Sequence, residues 1–150
     1  MSGSGACGMR SALAINLELS HGRHGASARV ELREGLDGSV GLVAVRGWIE
    51  CVALRRLAQA LEDLSARPVH RLLLDCSQLR HIYFRLVPAL VQSLRSFEAH
   101  RSQYVVCGLS PHLRDLFRLA GCEPARHCCP SAEELLSSWR DLGPSREWAS

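Results

Sequence analysis

Three short apolar runs constrain this chain more than any other feature: Val40–Val45, Leu72–Leu74 and Val105–Cys107. Each is too short for a buried helix and too continuously apolar for a strand with one wet face. They read as strands buried on both sides, the habit of parallel sheets. Between them lie stretches with helical spacing. Val52, Leu54, Leu57, Ala58, Leu61 and Leu64 recur at three and four, with Arg55, Arg56, Gln59, Glu62 and Asp63 on the opposite side. A second helix is expected from about Arg85 to Ala99, with Leu86, Leu90, Leu94 and Phe97 as its buried stripe, Val87 and Val91 beside them, and Pro88 tolerated in the first turn. Strands alternating with helices imply right-handed crossovers in a mainly parallel sheet.

The ends of this pattern are read the same way. Val30 and Leu32 alternate with Arg29, Glu31 and Arg33, the period of a strand with one buried face. Leu36-Asp37-Gly38-Ser39 then turns the chain into Val40–Val45, giving an opening hairpin. The central strand Val69–Asp75 is expected to end in a polar loop, Asp75-Cys76-Ser77-Gln78, where a carboxylate and a hydroxyl hold the backbone. Ser110-Pro111 signals a short helix carrying Leu113, Leu116, Phe117 and Ala120, and Gly121 ends it. A weak strand over Ala125–Cys129 and a last helix capped by Ser131 complete an α/β fold: a mixed, mostly parallel sheet opened by a β-hairpin, with about four helices. Residues 1–27, rich in Ser, Gly, Ala and His, are expected as a flexible leader, with room for a short ordered piece near Leu13–Leu19. The domain then covers 28–142, and 143–150 is a tail.

Composition excludes several functions. The chain has 150 residues, 47% hydrophobic and 22% charged, which suits one ordinary globular domain. All 18 basic residues are Arg, so Schiff-base and Walker-type lysine chemistry is ruled out. These Arg residues are interspersed with acids instead of clustering with aromatics, so nucleic acid is not an expected partner. The Ser11–Leu19 stretch is too short for a signal core and carries Asn16 and Glu18. No run approaches the ~20 apolar residues of a membrane span. Seven cysteines in this context indicate a reducing cytoplasm, where most act as small buried hydrophobes.

Arg71–Asp75 leading into Ser77, Val105-Val106-Cys107-Gly108-Leu109-Ser110-Pro111-His112-Leu113-Arg114, and Leu116-Phe117-Arg118-Leu119-Ala120-Gly121 followed by Ser131-Ala132-Glu133-Glu134-Leu135 resemble the STAS domain over roughly residues 28–140. That family includes anti-sigma-factor antagonists and the cytoplasmic tails of sulphate transporters. Its antagonists carry an Asp-Ser-Ser-Gly-like loop before the second helix, in which one Ser is phosphorylated and the added charge breaks the partner complex. Here the matching stretch is His81-Ile82-Tyr83-Phe84-Arg85-Leu86. Tyr83 stands at the Asp place and Phe84 at the acceptor place. The resemblance implies partner binding without that serine switch.

The partner expected from the resemblance is a protein: an anti-sigma factor, another STAS protein or an ATPase. The partner-binding residues expected are His81, Tyr83, Phe84, Arg85, Leu86, Ser110 and His112. For Tyr83-Phe84-Arg85 two readings stand at this point. Either they form a contact patch of the Tyr- and Arg-rich kind found at interface hot spots, or Phe84 fills the core and Arg85 merely starts the helix. His127-Cys128-Cys129 with Cys122 could suggest a metal or a redox pair. Adjacent strand residues point to opposite faces, however, and zinc prefers separated pairs. No nucleophile–base–acid motif surrounds His81 or His112, so no catalytic residue, cofactor or metal is expected. The alternatives are a STAS subunit of a signalling complex or lipid-transport ATPase, and behind it a ligand- or thiol-based protein.

Overall fold

The computed structural model describes residues 10–35, 38–99, 102–122 and 128–129. The elements are β1 (Arg10–Ser20), β2 (Ala26–Gly35), β3 (Gly38–Ile49), α1 (Cys51–Ser65), β4 (Val69–Ile82), a single 3-10 turn (Phe84–Leu86), α2 (Val87–Ala99), β5 (Gln103–Cys107), α3 (Pro111–Leu119) and β6 (Cys128–Cys129). They build a six-stranded sheet whose spatial order is the chain order. β1, β2 and β3 pair antiparallel; β3 to β6 pair parallel.

That order places the helices. Each parallel step goes from one strand to the next neighbour in the same direction. Right-handed crossovers taken in one direction put every connecting helix on the same side. Accordingly Leu54, Leu57, Leu61 and Leu64 of α1, Leu90, Leu94 and Phe97 of α2, and Leu113 and Phe117 of α3 share one core with Val43, Val45, Leu72, Leu74, Tyr104 and Val106 of the sheet. The alternate positions Val40, Leu73, Val105 and Cys107 form a smaller buried cluster on the reverse face. Burial on both sides explains why β4 and β5 read as continuous apolar runs.

Four local expectations change. In place of a flexible leader running through residue 27, residues 10–20 are the edge strand β1, paired with β2 from Arg10↔Glu34 to Ser20↔Ala26. Its Leu13, Ile15, Leu17 and Leu19 have the period of two. Leu19 is 1% exposed, Leu17 packs against the main core, and Leu13 and Ile15 remain exposed. The hairpin therefore becomes a three-stranded antiparallel unit. Second, β4 does not stop at Asp75 but continues to Ile82, because β3 continues beside it to Ile49↔Ile82. The polar run 75–78 marks a register shift instead of a chain end, and there Asp75 Oδ1 accepts the Ser77 N–H at 3.0 Å. Third, α2 proper starts at Val87, after the 3-10 turn, which leaves Pro88 in its first turn as expected. Fourth, in α1 it is Ala53 that is buried, while Val52 stands 50% exposed.

Of the last expected elements, Cys128–Cys129 form β6 beside β5. The helix after Ser131, the turn residues Leu36 and Asp37, and the segment 143–150 lie outside the described residues. Three α-helices are present among the described residues, and the mixed, mostly parallel α/β architecture is as expected.

Two substitutions test this account. Leu19→Ala removes a fully buried side chain and should cost about 2–4 kcal/mol in urea unfolding; a leader residue would cost nothing. Gly47 has φ of 90°, and a Cβ there would lie 2.1 Å from the carbonyl oxygen of Gly25, the residue before β2. Gly47→Ala should therefore destabilise by about 3 kcal/mol or more, adding backbone strain to the clash.

Candidate functional site

The site begins where β4 runs out. Its neighbour β5 ends at the Asp75↔Cys107 pair, whereas β4 goes on to Ile82 and, among the described residues, pairs there with β3 alone. At 3.3 Å per residue this projection is on the order of 20 Å. Ile82 is buried, and the Tyr83 N–H donates to the Ile49 carbonyl at 3.2 Å, so the end of the strand is anchored on both sides. The chain then tightens into the 3-10 turn, with the Leu86 N–H donating to the Tyr83 carbonyl at 2.8 Å. No side chain caps this turn.

Three consecutive side chains leave this anchored corner for solvent. Tyr83 is 43% exposed and Phe84 55%. Their rings meet edge-on with centroids 5.2 Å apart, and the Arg85 guanidinium lies 5.7 Å from the Phe84 centroid. That is cation–π range. Phe84 does not fill the core: it stands in solvent while Val87, Leu90 and Val91 of α2 are buried. Two neighbouring aromatics and an arginine held in solvent are an apolar, hydrogen-bonding and cationic surface in one place. Leu86 is half-buried against the main core and supports the patch from below.

His81 reaches the same neighbourhood from the strand. It is exposed, and its ring lies 4.8 Å from Trp48, which in turn lies 4.2 Å from His24 in the β1–β2 turn. Trp48 thus packs between two imidazoles on the sheet end, while Ile49 supplies the contact under α1. Beside this stack opens a cleft of about 570 Å³ lined by Ser20, His21, His24, Glu50, Cys51, Val52, Ala53 and Tyr83. Tyr83 belongs to both the patch and the cleft. Sequence reasoning missed the cleft because its wall is the turn after β1. The alternation Leu13-Ile15-Leu17-Leu19 was the available signal.

Ser110 and His112 sit elsewhere. Ser110 is the N-cap of α3, its hydroxyl accepting the Leu113 N–H at 3.3 Å, with Pro111 at the first helical position. His112 is exposed on the next residue. This corner lies at the level of Ser77. Gly108, with φ of 77°, approaches so closely that a Cβ would fall 2.6 Å from the Ser77 nitrogen. The structure therefore gathers His81, Tyr83, Phe84, Arg85 and Leu86 together and holds Ser110 and His112 at the root of the β4 projection.

Cys128 and Cys129 face opposite sides of the sheet, the former against the helix-side core and the latter against the reverse-face cluster. Among the described residues no group of three His, Cys, Asp or Glu side chains is placed to hold a metal ion. Among the same residues no helix is long and apolar enough to cross a membrane.

The fold is similar to that of an anti-sigma factor antagonist from Mycobacterium paratuberculosis, at 22% identity and a TM-score of 0.63, covering 82% of this chain and 100% of that one. It is also similar to the unphosphorylated anti-sigma factor antagonist SpoIIAA, at 16% identity and a TM-score of 0.59, over 75% of this chain and 96% of that one. Part of the murine anion transporter Slc26a9 matches at 13% identity and a TM-score of 0.58, covering 87% of this chain but 23% of the transporter. No curated protein sequence matches the chain. The family model described as "Mlab, STAS domain" matches residues 32–124, more than half of the chain, and the chain belongs to the STAS family.

Proposed function

We propose that this chain is a non-enzymatic protein-interaction module that regulates transcription by binding an anti-sigma factor. It docks through the corner at the end of β4, without a serine phosphoswitch. One observation carries the reading. Tyr83, Phe84 and Arg85 are held outward by an anchored backbone, at the place where the family resemblance puts the regulatory loop. Leaving two half-exposed aromatic side chains in water forgoes about 1 kcal/mol each of burial. A partner that covers them recovers this. Phe84 at the acceptor position has no hydroxyl to modify, so the complex is not broken by phosphate at that residue. His81 and Leu86 complete the surface. His112 offers a second contact beside Ser110, whose hydroxyl is already engaged as a cap.

A second reading has its own support. One similar structure is a transporter of which this fold covers 23%. A STAS subunit or scaffold within a larger assembly, such as a signalling complex or a lipid-transport ATPase, would use the same corner.

A pull-down of the native protein from its own cells, with bound proteins identified by mass spectrometry, separates these readings. An anti-sigma factor supports the first and an ATPase or transporter component the second. Phe84→Ala with Arg85→Ala should weaken the captured complex at least tenfold, about 1.4 kcal/mol or more, and His112→Ala less. Binding unchanged by the double substitution would remove this corner as the docking site. A phosphorylated 81–86 peptide in the isolated protein would contradict the absence of a switch.

A further inference from the structure

β1 leaves one of its two sides open. Among the described residues it pairs along one side with β2 and has no strand beyond it. From Leu13↔Leu32 to Glu18↔Ser27 the register is unbroken, with a bulge at either end. Leu13, Ile15 and Leu17 lie across from Leu32, Val30 and Ala28, all three in the main core, so they face the helix layer. Burial falls away along that row. Leu19 is buried where Arg56 of α1 donates to the Glu18 and Leu19 carbonyls, each at 3.4 Å, and Leu17 is half-buried. Ile15, by contrast, is 42% exposed and Leu13 36%. α1 covers one end of the row and leaves two large aliphatic side chains at the other, beside a strand edge.

Proteins protect such an edge with charge, proline, a bulge or a cover. Between its two bulges β1 lacks these devices: Leu13-Ala14-Ile15-Asn16-Leu17 holds no charged residue, no Pro and no Gly. The stretch also suits pairing with itself. An antiparallel copy, related by a two-fold axis through the sheet at Ile15, sets Ile15 against Ile15 and Leu13 against Leu17 on the helix side. On the reverse side Ala14 meets Asn16. Glu18 meets residue 12 and stays about 20 Å from its own counterpart. No like charges are opposed, and the aliphatic row meets only aliphatic side chains.

We infer that β1 is a self-association surface, through which two copies of this chain pair antiparallel into one sheet running unbroken through both. Within a copy β1 runs parallel to β4, so the dimer points its two β4 tips in opposite directions and leaves both free. The inference does not rest on the docking reading. β1 spans on the order of 35 Å, and the adjoining helix layer is ~10 Å deep. That offers roughly 500 Å² per copy, short of the ~800 Å² of a standard interface. The dimer is accordingly weak, with a Kd on the order of 10 µM.

The test is sedimentation of the full chain from about 1 to about 300 µM, with dithiothreitol present so that disulfide-linked species are excluded. The expected result is a monomer that becomes a dimer across this range. Ile15→Glu and, separately, Leu13→Lys should each raise Kd at least about tenfold, and Phe84→Ala should leave it unchanged. Circular dichroism and thermal melting show whether each variant is folded. Hydrogen exchange of the wild-type chain is a second readout: the amides of 13–18 should exchange more slowly at the high concentration than at the low one. A chain that stays monomeric throughout overturns the proposal, even if the edge accepts a strand from another protein. So does a dimer that survives Ile15→Glu in a folded variant, or one lost in Phe84→Ala. If neither β1 variant folds, the exchange rates decide, and rates independent of concentration overturn it.

Discussion

Everything at the projecting end of this molecule depends on the parallel pairing of β3 with β4. Leu72 and Leu74 of β4 are completely buried beneath the helices and Leu73 is completely buried on the reverse face, so the strand has no wet side over Arg71–Leu74. A parallel neighbour has to be reached by a crossover, and α1 supplies it, its Leu57, Leu61 and Leu64 closing over the sheet. The same hand of crossover repeated through α2 and α3 leaves all three helices on one side. The pairing also outlasts β5. Because β3 accompanies β4 to Ile82, the chain between them projects beyond the rest of the sheet and presents Tyr83-Phe84-Arg85 at its tip.

Anchoring and exposure at that tip are two sides of one arrangement. Buried Ile49 and Ile82 and the hydrogen bond from Tyr83 to Ile49 fix the backbone, and so the aromatic rings stand in water without the chain collapsing over them. A rigid, outward-facing pair of aromatics loses little conformational entropy when a partner covers it. The proposed docking function rests on this preorganisation as much as on residue type.

Much of this was legible in the chain before folding. The buried strands were readable because apolar runs of that length fit neither a helix nor a one-faced strand, and the Ser110-Pro111 helix start because its chemistry is local. The edge strand β1 was read as no more than a short ordered piece near Leu13–Leu19, although Leu13, Ile15, Leu17 and Leu19 alternate, since a Ser- and Gly-rich surrounding has the composition of a leader. The pairing with β2 that orders it is invisible in its own residues. The extension of β4 past Asp75 was hidden for a related reason: Asp75 and Ser77 do make the local contact of a turn, but the neighbouring strand carries the chain through it.

The sequence by itself determined the α/β class, most of the buried faces of α1 and α2, and the strand cores. These follow from local propensity and hydrophobic period, which act over a few residues. Whether Phe84 pointed into the core or out of it, and whether Ser110 and His112 stood beside Tyr83, were decided only by tertiary structure. Each depends on how the elements pack together: Val87 and Leu90 are buried where Phe84 is left exposed, and β4 outruns β5. Such packing follows from competition for one buried volume, and no local pattern encodes its outcome.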